Sequence, residues 1–296
     1  MLKYGIKHLI EPLLKLFNLI FENGYFPKLW NESYISLIHK KGDKTNPSNY
    51  RGISLTSNLG KLFNKVMLAR ITKFCDQNDL ISENQIGFIE KPRTNDHIFT
   101  VKTIVDTYKQ NKKKVFAAFI DLKKAFDTVW REGLFFRLYK MQFPYRIFNI
   151  IYSMYQDPSC RIKFKNGLSK SFTSRCGVKQ GDVLSPILFN LYINDLVKNL
   201  NETQTDPVVM GDISINSLLY ADDIILLSST ESGLQKSLDE LNKFCSSWKL
   251  DVNKEKSKVI IFNSNGKTHL NYFKINGVHI ETVKTYCYLG NFSIQW

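Results

Sequence analysis

The stretch SINSLLYADDIILL, residues 214–227, decides how this chain folds. Two apolar arms, Ser214 to Leu219 and Ile224 to Leu227, flank the tip Tyr220-Ala221-Asp222-Asp223. Arms of that composition are predicted as buried strands, and the residues between them as a hairpin turn. A second apolar run, Val115 to Ile120 (VFAAFI), reads as another buried strand and delivers Asp121 at its end. Carboxylates in such places are costly unless a cation neutralises them. If the two strands are neighbours in one sheet, Asp121 and Asp222 approach each other at its edge. With no obvious arginine partner, they make a hard, oxygen-lined cation site suited to Mg²⁺ or Mn²⁺ and not to zinc. Paired Mg²⁺ ions are what phosphoryl transfer needs. An isolated Asp at a strand end is more often a turn or cap residue, so the pattern needs support from the rest of the chain.

Outward from these strands, helical spacing recurs at Ile6, Leu9, Leu13, Leu16, Phe17 and Ile20, with Pro12 opening or bending the helix. Tyr34 to Ile38 reads as a strand, and residues 39–52, HKKGDKTNPSNYRG, as a loop. Helices are predicted over Leu59–Phe74 and near 95–109, 132–140 and 145–156. Strands at 160–165 and 170–175 flank an Asn166-Gly167 turn as a hairpin. Ser185, as N-cap, and Pro186 open an apolar helix to about residue 200. Leu234, Leu238, Leu241, Cys245 and Trp248 mark an amphipathic helix, and short strands with an Asn276-Gly277 turn follow. This order predicts an α+β fold, an antiparallel sheet backed by helices.

The 296 residues are 43% hydrophobic, enough for a sizeable core. Lys and Arg number 41 against 27 Asp and Glu, a net charge of +14 that suits a polyanionic partner. The lysines cluster as Lys40-Lys41 with Lys44, as Lys112 to Lys114, and as Lys254, Lys256 and Lys258. An anionic membrane surface would match charge alone equally well. Five scattered cysteines without a CxxC pair argue against a zinc site or a disulfide framework and fit a reducing, intracellular compartment. No apolar run approaches the ~18–20 residues that span a bilayer.

Several blocks carry a family resemblance. LLYADDIILLS looks like motif C of reverse transcriptases. FIDLKKAFDTVW (119–130) resembles motif A, and CGVKQGDVLSPILFNLYIND (176–195) motif B, as written in non-LTR, LINE-type retrotransposons. HKKGDKTNPSNYRGISLTSNLGKLFNKV (39–66) and NQIGFIEKPRTNDHIF (84–99) resemble their two fingers blocks. Gly52 stands where a proline is usual, and Glu90-Lys91-Pro92 departs from the common form. WKLDVNKEKSKVIIF (248–262) resembles motif D and TYCYLG (285–290) motif E. The ordered set of seven blocks is far more specific than any one of them.

The resemblance implies a right-hand polymerase with fingers over 1–114 and a palm over 115–290. That palm includes the 160–176 hairpin and the 177–200 motif B segment. Residues 291–296 would begin a thumb connection, with the thumb itself absent. It further implies RNA-directed DNA synthesis from dNTPs on an RNA template and DNA primer, with two Mg²⁺ ions (Mn²⁺ as a substitute) and no membrane. Asp121, Asp222 and the Leu122 carbonyl match the metal ligands, and Asp223 the neighbouring acid. Lys256 matches the lysine that protonates pyrophosphate. Phe126 matches the aromatic that excludes a 2′-hydroxyl, and Gln180 and Gly181 the residues beside the incoming nucleotide. Arg51 and Lys61 match triphosphate contacts, and Tyr288, Leu289 and Gly290 the primer grip. The alternative is a truncated element copy that binds nucleic acid without catalysing. An RNA-synthesising polymerase is more distant, because it usually lacks the aromatic gate.

Overall fold

The computed structural model describes residues 5–87, 94–263, 272–289 and 292–295. Its first elements are α1 (Ile6–Asn23), α2 (Lys28–Asn31), β1 (Ser33–His39), β2 (Tyr50–Leu55) and α3 (Asn58–Gln77). Next come α4 (Thr94–Gln110), β3 (Val115–Asp121), α5 (Ala125–Thr128), α6 (Arg131–Lys140) and α7 (Tyr145–Tyr155). β4 (Ser159–Phe164), β5 (Gly167–Leu168) and β6 (Phe172–Thr173) precede α8 (Ser185–Ile193) and α9 (Asp195–Glu202). β7 (Val208–Met210), β8 (Ile213–Ile215), β9 (Ser217–Tyr220), β10 (Asp223–Ser228) and α10 (Glu231–Ser247) follow. The last strands are β11 (Lys258–Phe262), β12 (Phe273–Ile275), β13 (Val278–Thr282), β14 (Thr285–Tyr288) and β15 (Phe292–Gln295). No helix among the described residues is long and apolar enough to cross a membrane. The chain divides into two compact units, each made of two segments: Met1–Leu80 with Trp130–Leu188, and Ile81–Val129 with Phe189–Trp296.

The first unit holds a sheet of order β2-β1-β4-β5, with β6 also on β4. β1 and β2 pair antiparallel from Tyr34 opposite Leu55 to His39 opposite Tyr50. The end of the stretch predicted as loop, residues 50–52, is therefore strand. Its Gly, Asn and Pro content obscures this, but Gly52 has a packing reason: a Cβ there would sit 2.9 Å from Ile35 Cγ2. The turn before it is pinned by its own polar groups, with Asp43 accepting from Thr45 N and Asn46 from Ser48 N. β1 pairs with β4 in parallel, where the sequence pattern predicted an antiparallel sheet. The 160–175 hairpin forms, but its return arm is two short pieces, β5 and β6. Between them Ser169 Oγ accepts from the Ile162 amide and breaks the ladder. α1 runs on through Pro12 and ends at Gly24, whose φ of 62° permits the left-handed C-cap. Phe17, Phe26, Trp30 and Phe63 form an aromatic cluster under that helix.

The second unit is built on a six-stranded sheet of order β12-β13-β11-β3-β10-β9, antiparallel except for the β11–β13 pair. β3 lies at its centre and is buried along its whole apolar length. Its odd-numbered residues, with Ile225, Leu227, Ile260 and Phe262, pack under Val101, Ile104 and Tyr108 of α4. The alternate residues face the other way, where α10 lies on β3, β10 and β12 through Leu234, Leu238 and Leu241. A strand covered on both faces reads as a continuous apolar run, as VFAAFI does. The Asn276-Gly277 turn has φ of 50° and 72°, the doubly positive geometry that such a pair favours.

Candidate active site

The register of β3 and β10 sets Asp223 directly opposite Asp121 and Ile224 opposite Ile120. β10 also pairs with β9, Asp223 facing Tyr220, so the turn consists of Ala221 and Asp222 alone. Ala221 turns the chain with a φ of 53°. Directly opposed antiparallel residues hold their Cβ atoms about 4.5–5.5 Å apart on one face. Asp121 and Asp223 are thus neighbours, with Asp222 adjoining at the tip. The electrostatics agree: Asp223 is pushed up to about 6, first by burial and then by the charges of Asp222 and Asp121. Three acids crowd one strand end, and their mutual repulsion shows at Asp223.

A lysine reaches Asp121. Lys256 Nζ stands 3.7 Å from Asp121 Oδ2, too far for a hydrogen bond and well exposed, so the contact is a screened ion pair. The Asp121 backbone is fixed from the same side, its N–H donating to Ser257 Oγ and its carbonyl accepting from the Asn253 N–H. Lys123 N–H donates to the Asp251 carbonyl, and Leu122 bridges Val252 between these two bonds. In that antiparallel pattern the flanking groups make the hydrogen bonds, so the carbonyl of Leu122 points away from Val252. Among the described residues, no group of three or more His, Cys, Asp or Glu is arranged to hold a metal ion by itself. The oxygen donors at this strand end, carboxylates and a backbone carbonyl, are of the type that suits a hard divalent cation and not zinc.

A feature the motif reading passed over braces the acidic turn. Residues 84–87 run alongside β9: Leu219 N–H donates to the Asn84 carbonyl and Ile86 N–H to the Leu219 carbonyl. The buried Gln85 accepts from Ala221 N and Gly87 N through one oxygen, Oε1, at 3.1 and 3.0 Å. A Cβ on Gly87 would lie 2.4 Å from Ala221 N. Asn190 Nδ2 donates to the Gly87 carbonyl and completes the brace. The NQIG string carried the signal, but only the fold reveals what it touches.

Also in this unit, Phe126 follows Lys124, which adopts a left-handed φ of 47°, and its half-buried ring stacks on Phe189 at 4.9 Å. Tyr288 is buried and Leu289 partly buried against the same core as Phe119, while Gly290 lies outside the described residues. So does the Glu90-Lys91-Pro92 departure.

The first unit holds the remaining sequence-predicted residues. Arg51 is exposed on β2 opposite Ile38, and Lys61 sits in the first turn of α3. Gln180 accepts from the Ser54 N–H at 2.7 Å. Gly181, with φ of 98°, packs so closely that a Cβ would meet Ile53 Cγ2 at 3.1 Å. Around them the loop is pinned by residues the sequence did not single out. Lys179 Nζ, buried and lowered to about 8 by desolvation, donates to Asn31 Oδ1 at 3.0 Å. Asp182 accepts from Asn64 Nδ2 and from Leu184 N. Ser185 is the first residue of α8, and its hydroxyl donates to the Lys179 carbonyl.

These features agree with what the chain is similar to. The reverse transcriptase (RNA-dependent DNA polymerase) family matches residues 38–291. The RNA-directed DNA polymerase from mobile element jockey of Drosophila melanogaster is 30% identical over 288 residues, covering 95% of this chain and 31% of that protein. The probable RNA-directed DNA polymerase from transposon BS of the same fly is 32% identical over 255 residues, covering 83% of this chain and 27% of that protein. The chain thus spans less than a third of the length of either relative. Among solved structures, apo telomerase from Candida tropicalis, truncated from its C-terminal domain, superposes with a TM-score of 0.60 at 18% identity. That match covers 90% of this chain and 55% of that one, a likeness of fold. The fold is the α+β fingers-and-palm fold of polymerases, and the chain belongs to the reverse transcriptase family, among those of non-LTR retrotransposons.

Proposed function

We propose that this chain is the polymerase core that copies RNA into DNA, joining dNTPs to a primer 3′-hydroxyl at the Asp121–Asp222–Asp223 cluster. The observation that carries the reading is the β3–β10 register, which gathers mutually repelling carboxylates at one strand end. Asp121, Asp222 and the Leu122 carbonyl would hold two Mg²⁺ ions, or Mn²⁺ in their place. Such ions, when bound, supply Lewis-acid activation of the 3′-hydroxyl and stabilise the charge on departing pyrophosphate. Asp223 keeps the local charge high and is relieved when cations arrive. Lys256, on a long exposed stem, leaves Asp121 and delivers a proton to pyrophosphate.

Phe126 presents its ring to the sugar and leaves no room for a 2′-hydroxyl. Gln180 and Gly181 border the incoming nucleotide, the glycine allowing a close backbone approach. Arg51 and Lys61 meet the triphosphate, and Tyr288, Leu289 and Gly290 seat the primer end. The net charge of +14 supports association with RNA template and DNA primer through phosphates. The functional division into fingers over 1–114 and palm over 115–290 is proposed on motif order. The compact units cut the chain elsewhere because they follow packing. Incorporation of dTTP on poly(rA)–oligo(dT) tests the reading: it should require Mg²⁺ or Mn²⁺ and the RNA template. No incorporation with either ion would refute it.

A further inference from the structure

Where α4 begins, a histidine sits that none of the proposed chemistry uses. His97 is 3% exposed. Its Nδ1 shares a hydrogen bond of 3.3 Å with Tyr288 Oη, and its ring meets the Tyr220 ring edge-on at 6.3 Å between centroids. Tyr220 is the first residue of the YADD tip, and Tyr288 closes β14. Tyr288 also packs on Phe119, two residues before Asp121, and feels the charge of Asp223. One imidazole thus touches two strands whose ends border the acidic cluster.

Packing alone does not explain a histidine here. Among the described residues its buried Nε2 has no hydrogen-bond partner, an energetic cost that leucine would avoid. Burial lowers its pKa to about 4, so the ring is neutral and offers one donor and one acceptor. Either tautomer can make the bond to Tyr288 Oη, with Nδ1 donating or accepting. What the polar ring gains, among the described residues, is the bond to Tyr288.

We propose that His97 is a positioning residue that ties Tyr288 to the YADD hairpin, fixing the primer end relative to the catalytic carboxylates. The inference rests on the polymerase reading above and on the assignment of Tyr288 to the primer grip. Reactive groups held about 1 Å out of place lose rate steeply, so a small slip of Tyr288 is enough to be read in the chemical step.

The test is single-turnover addition of the first dTMP to oligo(dT) on poly(rA), which needs no processivity. The parent and Asp222→Asn are run first. A parent that does not extend, or an Asp222→Asn variant that extends equally well, overturns the polymerase reading and this inference with it. Given an active parent, His97→Leu and Tyr288→Phe should each slow addition about tenfold, leaving apparent dNTP affinity within about twofold. The double variant should be no slower than the slower single one, because both remove the same bond. His97→Asn, whose amide reaches the Nδ1 position, should recover most of the rate, and His97→Gln, which reaches the Nε2 position, should not. Multiplying losses in the double variant, equal rates for Asn and Gln, or an unchanged His97→Leu enzyme would each overturn the inference while leaving the polymerase reading intact.

Discussion

Gly87→Ala adds one methyl group against the backbone of the acidic turn. The new Cβ would lie 2.4 Å from Ala221 N and 2.8 Å from Tyr220 C, so neither neighbour can rotate away. Ordinary contact begins about 1 Å further out, and the hairpin tip or the 84–87 strand must move by that amount. The move also strains the two bonds that Gln85 makes, to Ala221 N and Gly87 N. Overpacking of this kind costs roughly 1–3 kcal/mol of stability. A displacement of about 1 Å at the reacting centre costs on the order of 100-fold in rate. The assay is single-turnover nucleotide addition beside a thermal melt, with Gly60→Ala as control, since its Cβ would meet nothing closer than 3.4 Å. Gly87→Ala should fold, melt a few degrees lower, and lose rate far out of proportion to that shift. Addition within twofold of the parent would refute the idea that residues 84–87 set the position of the turn.

Three further outcomes follow from the same geometry. Phe126→Ala should raise ribonucleotide incorporation relative to deoxyribonucleotide, read from competing rNTP and dNTP rates; an unchanged ratio returns Phe126 to a packing role on Phe189. Arg51→Ala should raise the dNTP KM roughly 10-fold, the worth of a charged hydrogen bond, without changing primer–template affinity. Asp223 has a folded pKa of about 6 against an ordinary 3.8, so it contributes stability that is present below pH ~4 and lost as pH rises through ~6. In metal-free protein, Asp223→Asn should melt near the parent at pH 4.5 and above it at pH 7.5, with Mg²⁺ narrowing the gap. A gap independent of pH would contradict the crowding of charge at that carboxylate.

Much of this was legible in the residues, for reasons that differ by element. β3, β9 and β10 announce themselves because burial on both faces demands a continuous apolar run, and their acids stand out against it. The register did not follow from pattern alone. The sequence brings Asp121 and Asp222 towards one another at the sheet edge, and the ladder adds that Asp223 lies directly opposite Asp121 with Asp222 at the tip. β2 was hidden because Asn49, Gly52 and the preceding proline read as loop, and only the contact of Gly52 with Ile35 gives them a strand's purpose. Gln85, His97 and Lys179 were missed for one shared reason. Each acts through a partner far away in sequence: Ala221, Tyr288 and Asn31 respectively. Local spacing carries no trace of such bonds.

The central claim is that Asp121 and Asp222 perform RNA-templated DNA synthesis and do not merely shape a nucleic-acid-binding surface. Its most direct test measures, on one preparation each of parent, Asp121→Asn and Asp222→Asn, both primer extension on poly(rA)–oligo(dT) with Mg²⁺ and affinity for the same duplex. On the proposed reading, scattered Lys and Arg supply the affinity, while the carboxylates serve the transition state. Both variants should therefore bind the duplex about as tightly as the parent and extend it not at all. Extension above about a tenth of the parental rate would contradict the account, because removing a charge that stabilises the transition state should cost on the order of 100-fold or more.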